Sequence, residues 1–96
     1  YGRLAAIIVQ SKNISELEMF VKILGKNLRN LINQRIKVLG PAPAPINKLR
    51  GWYRYRFLVM GKRKDLLQPF IREWLGKVNV RRGMRVKIDI DPYNFL

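Results

Sequence analysis

The chain is predicted to fold as an α+β protein with the element order β-α-β-β-α-β, and three observations carry that expectation. Two segments repeat apolar residues at helical spacing, and four shorter ones alternate or run as β-branched stretches. Gly, Pro and Asn separate them. Ninety-six residues suffice for one modest core, so residues 1–96 are expected to form a single domain. The absence of an initiator Met suggests that it was cut from a longer chain.

Arg3 to Gln10 (RLAAIIVQ) is short, apolar and rich in β-branched residues, as a buried strand requires. Ser15 and Glu18 have capping-box spacing, with Asn13 an alternative cap. The helix they open carries Leu17, Phe20, Val21, Leu24, Leu28, Leu31 and Ile32 on one stripe, over about five turns. Ile36 to Leu39 predicts a second strand, stopped at Gly40. Pro41, Pro43 and Pro45 then predict a stiff extended connection without backbone donors at those positions, serving as a spacer, a docking edge or a direct contact. Trp52 to Met60 is the third strand. Leu67, Phe70, Ile71, Trp74, Leu75 and Val78 mark a second helix, which accommodates Pro69 best if it begins at Gln68. Arg81, Arg82 and Gly83 predict a turn. Arg85 to Asp91 (RVKIDID) alternates strictly until Pro92. Two helices with one stripe each can cover one face of a four-stranded antiparallel or mixed sheet. This is a split-βαβ, ferredoxin-like layout, and it leaves the other face open.

Twenty Lys and Arg stand against six acids, for a net charge of +14. From Met19 to Lys64 there is no acid, while twelve basic residues fall in that stretch. Such a field repels itself in the compact state and points to a polyanionic partner. Nucleic acid leads. An anionic membrane fits less well, because the bases are interleaved with strand and loop signals rather than gathered on one amphipathic helix. No run of 18 apolar residues predicts a membrane span. The lack of cysteine excludes disulfides and thiolate metal sites and suits a cytosolic setting. With no His, no Cys, no glycine-rich phosphate loop and no nucleophile pair, neither a catalytic site nor a cofactor is expected in these residues. Asp89 and Asp91 share a strand face, as metal ligands would, but Arg85 and Lys87 share it too and favour charge pairing. Lys22, Lys26 and Arg29 form a basic helix stripe, which reads as a solvated face.

The third strand carries the candidate site. Its period places Tyr53, Tyr55, Phe57 and Val59 on one side, as core, and Trp52, Arg54 and Arg56 on the other. Guanidinium groups bind phosphate bidentately and an indole can stack on a base. Arg54 and Arg56 are expected to hold the backbone and Trp52 to stack, with Lys48, Arg50 and Lys62 widening the positive surface.

Arg50-Gly51-Trp52 resembles the start of an RNA-recognition motif, which keeps RNA binding as an alternative. The pattern then departs, with Tyr53 where a small residue is expected and Arg54 where a stacking aromatic is expected. A resemblance over nearly the whole chain rests on "YGRLAAIIV", "VLGPAPAPINKLRGWYRYRFLV" and "VKIDIDPYNFL". These are similar to the C-terminal domain of primosomal protein N′, a family of bacterial, cytoplasmic replication-restart helicases. The resemblance implies a parent enzyme that unwinds DNA 3′ to 5′ with ATP and magnesium and carries a zinc-binding insertion. None of that machinery lies in these residues. It further implies a ribosomal-protein-like fold that contacts branched and single-stranded DNA, alongside other primosome proteins and the parent's helicase core. Finally, it implies a site for the acidic tail of single-stranded-DNA-binding protein near the start of the second helix. Arg63, Lys64 and Gln68 stand there, and the positive end of a helix beside basic side chains suits a carboxylate. A protein-interaction role, for that tail or a helicase lobe, is therefore the other alternative.

Overall fold

The computed structural model describes residues 3–28, 31, 35–80 and 82–90, with the side chains of 45–47, 49, 64 and 65 outside that description. The elements are β1 (Arg3–Ser11), α1 (Ile14–Leu28), β2 (Ile36–Leu49), β3 (Trp52–Gly61), α2 (Lys64–Gly76) and β4 (Met84–Ile90). The strands form one sheet in the order β2-β3-β1-β4, and each neighbouring pair is antiparallel. The expected α+β order is thus observed, in the antiparallel form.

Both helices pack on one sheet face. There Ala5, Ile7 and Val9 of β1 and Phe57 and Val59 of β3 meet Leu17, Phe20, Val21 and Leu24 of α1. Leu67, Phe70, Ile71 and Trp74 of α2 complete the cluster. Trp74 ties three elements together. Its ring meets Phe57 edge-on at 4.9 Å, and its Nε1 donates to the Leu24 carbonyl at 2.9 Å. That bond satisfies a polar atom that would otherwise be buried at a cost. Because β1 lies between two strands, Ala5 to Val9 are buried on both faces, which explains their unbroken apolar run.

Several boundaries differ from expectation for identifiable reasons. Asn13, not Ser15, caps α1: its Oδ1 accepts from the Glu16 amide at 3.1 Å, and its carbonyl accepts from the Leu17 amide. Ser15 already lies in the first turn, where it cannot take the extended cap conformation. The helix is described from Ile14 to Leu28; Leu31 still packs on the core, while Arg29 and Ile32 lie outside the described residues. Helix α2 begins at Lys64 rather than Gln68 and holds Pro69 in its interior. An internal proline costs about 3 kcal/mol, but burying Leu67, Phe70, Ile71 and Trp74 on one face gains about 1.5–3 kcal/mol for each side chain.

The largest difference is β2, which does not stop at Gly40 but continues through the prolines to Leu49. The strand lies at the sheet edge. At an edge a proline can direct its missing N–H to the outside of the sheet, where no ladder bond is lost. Gly40 turns rather than ends the strand. Its φ is 112°, and a Cβ there would lie 2.6 Å from the Arg56 carbonyl oxygen. The Gly40–Pro41 peptide is cis. Strand β4 begins at Met84, and Gly83 before it has φ 89°. Arg81, Asp91 and Pro92 lie outside the described residues.

Candidate nucleic-acid interface

Tyr53 and Tyr55 pack against the helix-side core beside Phe57 and Val59. Trp52, Arg54 and Arg56 therefore stand on the helix-free face, as the strand period indicates. The register then shows what joins them. Arg54 pairs across β1 Gln10 with Arg85 of β4, and Arg56 pairs across Ile8 with Lys87. The next row, Leu58–Ala6–Asp89, ends in an acid. Two consecutive rows thus carry a cation on each side of a narrow central strip, the flanking strands lying about 9–10 Å apart. Ile8, on the strip between Arg56 and Lys87, is only 8% exposed although no helix covers it. Long basic side chains laying their stems over such a residue give this result.

Four expected site residues sit elsewhere or differently. Arg54 is on the open face but only 7% exposed. Opposite it, β2 slips its register between Pro43 and Lys48, leaving residues 44–47 against a single β3 position, and Ala44 is buried as well. Its Nε is a buried donor without an acceptor, while the side chain is otherwise engaged with the protein. Arg54 is therefore part of the packing beneath the face rather than an exposed phosphate ligand. Lys48 pairs directly with Tyr53 and so lies on the opposite face, its Nζ 4.9 Å from the Tyr53 ring centre. Lys62 lies past the far end of β3, where it lines a cavity of about 410 Å³ with Arg35, Arg63 and Leu66. Trp52 is half-buried, and two cations approach its ring: the Arg85 guanidinium carbon stands 4.2 Å from the ring centre and the Lys12 Nζ 5.3 Å.

Arg50 holds an exposed position at the β2–β3 turn. With φ 52° at Arg50 and 83° at Gly51, both central residues of this two-residue hairpin loop are left-handed, the condition for a type I′ turn. Glycine meets it freely, whereas arginine pays about 1–2 kcal/mol. The tail-site residues are divided. Arg63 precedes α2 and joins the cavity with Lys62, whereas Gln68 lines a separate groove with Ile71, Leu75 and Ile88, and the Lys64 side chain lies outside the described residues.

Arg85, Lys87 and Lys12 are the open-face residues that the sequence reading did not assign to the site. The alternation in RVKIDID does put Arg85 and Lys87 on one face, but only strand order reveals that this face adjoins Arg56. The stacking positions of an RNA-recognition motif find no aromatic on β1, whose open-face residues are Leu4, Ala6, Ile8 and Gln10. Among the described residues no three His, Cys, Asp or Glu side chains gather to hold a metal, and the chain has no His or Cys at all. Nor is any described helix long and apolar enough to cross a membrane.

An antiparallel sheet with one face sealed by helices and the other lined with Arg and Lys defines a small α+β domain with one strongly basic face. The chain belongs to the primosomal protein N C-terminal domain family, whose model matches residues 1–93. It is 33% identical to the replication restart protein PriA of Rickettsia felis over 99% of its own length, and 33% identical to that of Rickettsia prowazekii over the same share. The corresponding protein of Bacillus subtilis is 22% identical over 97% of the chain. The chain spans only 14%, 14% and 12% of these three relatives. The family resembled by the proline segment and its flanks is thus the chain's own.

Proposed function

We propose that this chain is a nucleic-acid-binding accessory domain of a bacterial replication-restart helicase, gripping the sugar–phosphate backbone of branched DNA with its open sheet face. One observation supports this above the others: Arg56, Arg85 and Lys87 flank a neutral strip in adjacent rows, with no acid until Asp89. Lys12 and Arg50 extend the positive field at the end of the sheet where Trp52 lies, and Arg54 supports it from below. The relatives' name, replication restart, suits a partner of this charge. Helicase action, with its ATP, magnesium and zinc, would belong to other parts of a parent chain, as would contacts with further primosome proteins. The binding is expected to be nearly sequence-blind. If about six phosphates are contacted, the log–log dependence of affinity on salt has a slope near −5 on duplex arms. Titrating the chain with forked DNA across a salt series tests this. A flat response removes the phosphate reading.

A second reading has its own support. The cavity formed by Arg35, Lys62, Arg63 and Leu66 adjoins the positive end of α2, whose cap residue Arg63 provides no side-chain cap bond. A site lined by three cations suits the acidic tail of a partner such as single-stranded-DNA-binding protein. Lys62→Glu with Arg63→Glu should then weaken an acidic tail peptide more than forked DNA. Equal losses would indicate one undivided basic surface.

A further inference from the structure

Among the described residues Trp52 is the one large aromatic on the cationic face, and its surroundings argue against the role its type first suggests. A tryptophan that serves single strands offers a bare ring to an unpaired base. Here the ring faces the Arg85 guanidinium at 4.2 Å and Lys12 at 5.3 Å. A base stacking in the place of Arg85 would set loose a side chain that the face uses. The indole instead holds Arg85 in place, because a guanidinium lying over a ring keeps its in-plane N–H groups free to donate sideways.

We infer that Trp52 is a positioning residue for Arg85, and that the open face takes the backbone of duplex DNA rather than unpaired bases. This rests on the proposed nucleic-acid function and specifies its ligand. Two further observations agree. The face offers no second aromatic on β1 to continue a stack, since Leu4, Ala6, Ile8 and Gln10 occupy it. The cations lie in rows on both sides of that strip, an arrangement that meets a surface of closely spaced charge. Duplex DNA carries one charge per about 1.7 Å of axis, roughly twice the density along one of its strands.

Trp52 emission provides a direct test, because the only other tryptophan, Trp74, is fully buried and serves as an internal constant. The chain is titrated with a blunt duplex and with a single strand of equal length at the same salt. The duplex is expected to bind about tenfold tighter or more, consistent with its higher charge density. Saturating single strand is expected to leave Trp52 emission essentially unquenched. Trp52→Leu should weaken duplex binding as much as Arg85→Ala does, the double variant should lose little more than either alone, and Trp52→Phe should restore most of the affinity. Strong quenching by the single strand, or a Trp52→Leu variant that loses single-strand binding while sparing the duplex, overturns the inference and leaves backbone binding standing. Failure to bind either DNA, with the fold intact by circular dichroism, overturns the proposed function itself.

Discussion

On the helix side of the sheet, β3 contributes Phe57 and Val59, each fully buried, and both are held by apolar neighbours from two helices. On the open side the same strand contributes Arg54 and Arg56, and no helix packs there. The contrast teaches that burial on the two faces means different things. Helix-side burial comes from a second layer of secondary structure and has no part in contacting a ligand. Open-side burial is local, so Arg54 can be nearly inaccessible while its neighbour Arg56, two residues on, remains part of the surface. Stability and binding should therefore separate by face, with Arg54 as the instructive exception.

The sharpest break of the comparison is Phe57→Ala. It removes the ring that meets Trp74 edge-on and opens a cavity between β3 and α2, at an expected cost of about 3–5 kcal/mol. Urea unfolding should show the loss. If DNA affinity fell while stability held, the helix side would not be the structural side. Next comes Gly40→Ala, with an expected loss of about 2 kcal/mol or more. Its φ of 112° disfavours any Cβ, and the added carbon would press on the Arg56 carbonyl and the Phe57 Cα, at 2.6 and 3.2 Å. Neither contact is with a flexible side-chain end, so β2 or β3 must shift. An unchanged melting temperature would mean that the backbone around Gly40, where the β2–β3 register shifts between Leu39 and Ala42, can relax.

Arg54→Ala probes the exception. Loss of a buried, engaged guanidinium should destabilise the chain by about 1–3 kcal/mol. The salt slope of DNA binding should stay nearly as it is, since a buried group releases few counterions. A wild-type denaturation midpoint with a shallower slope would return Arg54 to the exposed surface.

How much of this was legible in the sequence follows from what each feature depends on. The stripes through Leu17, Phe20 and Leu24 and through Leu67, Phe70 and Trp74 are local patterns, and both helices are where those patterns put them. The face of Trp52, Arg54 and Arg56 follows from strand period alone. The course of β2 does not, because Pro41 and Pro43 are compatible with a strand only at an edge, and edge position is a property of the whole sheet. The same dependence hid Arg85 and Lys87, which adjoin the β3 row only through the order β3-β1-β4. RVKIDID in isolation suggests charge pairing with Asp89, whereas the contact of Arg85 with Trp52, more than thirty positions away in sequence, is visible only in the folded sheet. Burial of Arg54 was illegible for a third reason: it coincides with a register slip in β2 that no residue pattern announces.

The smallest effect on stability, and the most informative on binding, belongs to Arg56→Ala combined with Lys87→Ala. The two side chains flank Ile8 on the open face, one only partly covered and the other exposed, and neither belongs to the helix-side cluster. Surface changes of this kind usually stay within about 0.5 kcal/mol, although here the stems that cover Ile8 are lost, so the double change should cost about 1 kcal/mol at most. Binding should respond quite differently. Each phosphate contact removed lowers the salt slope on duplex DNA by about 0.9, so loss of both should flatten it by roughly two. Because such contacts carry no sequence information, the weakening should be uniform across sequences. A variant with native stability and an unchanged slope would remove this row from the binding surface. The remaining positive field, around Arg35, Lys62 and Arg63 at the far end of β3, would then be where the polyanion docks.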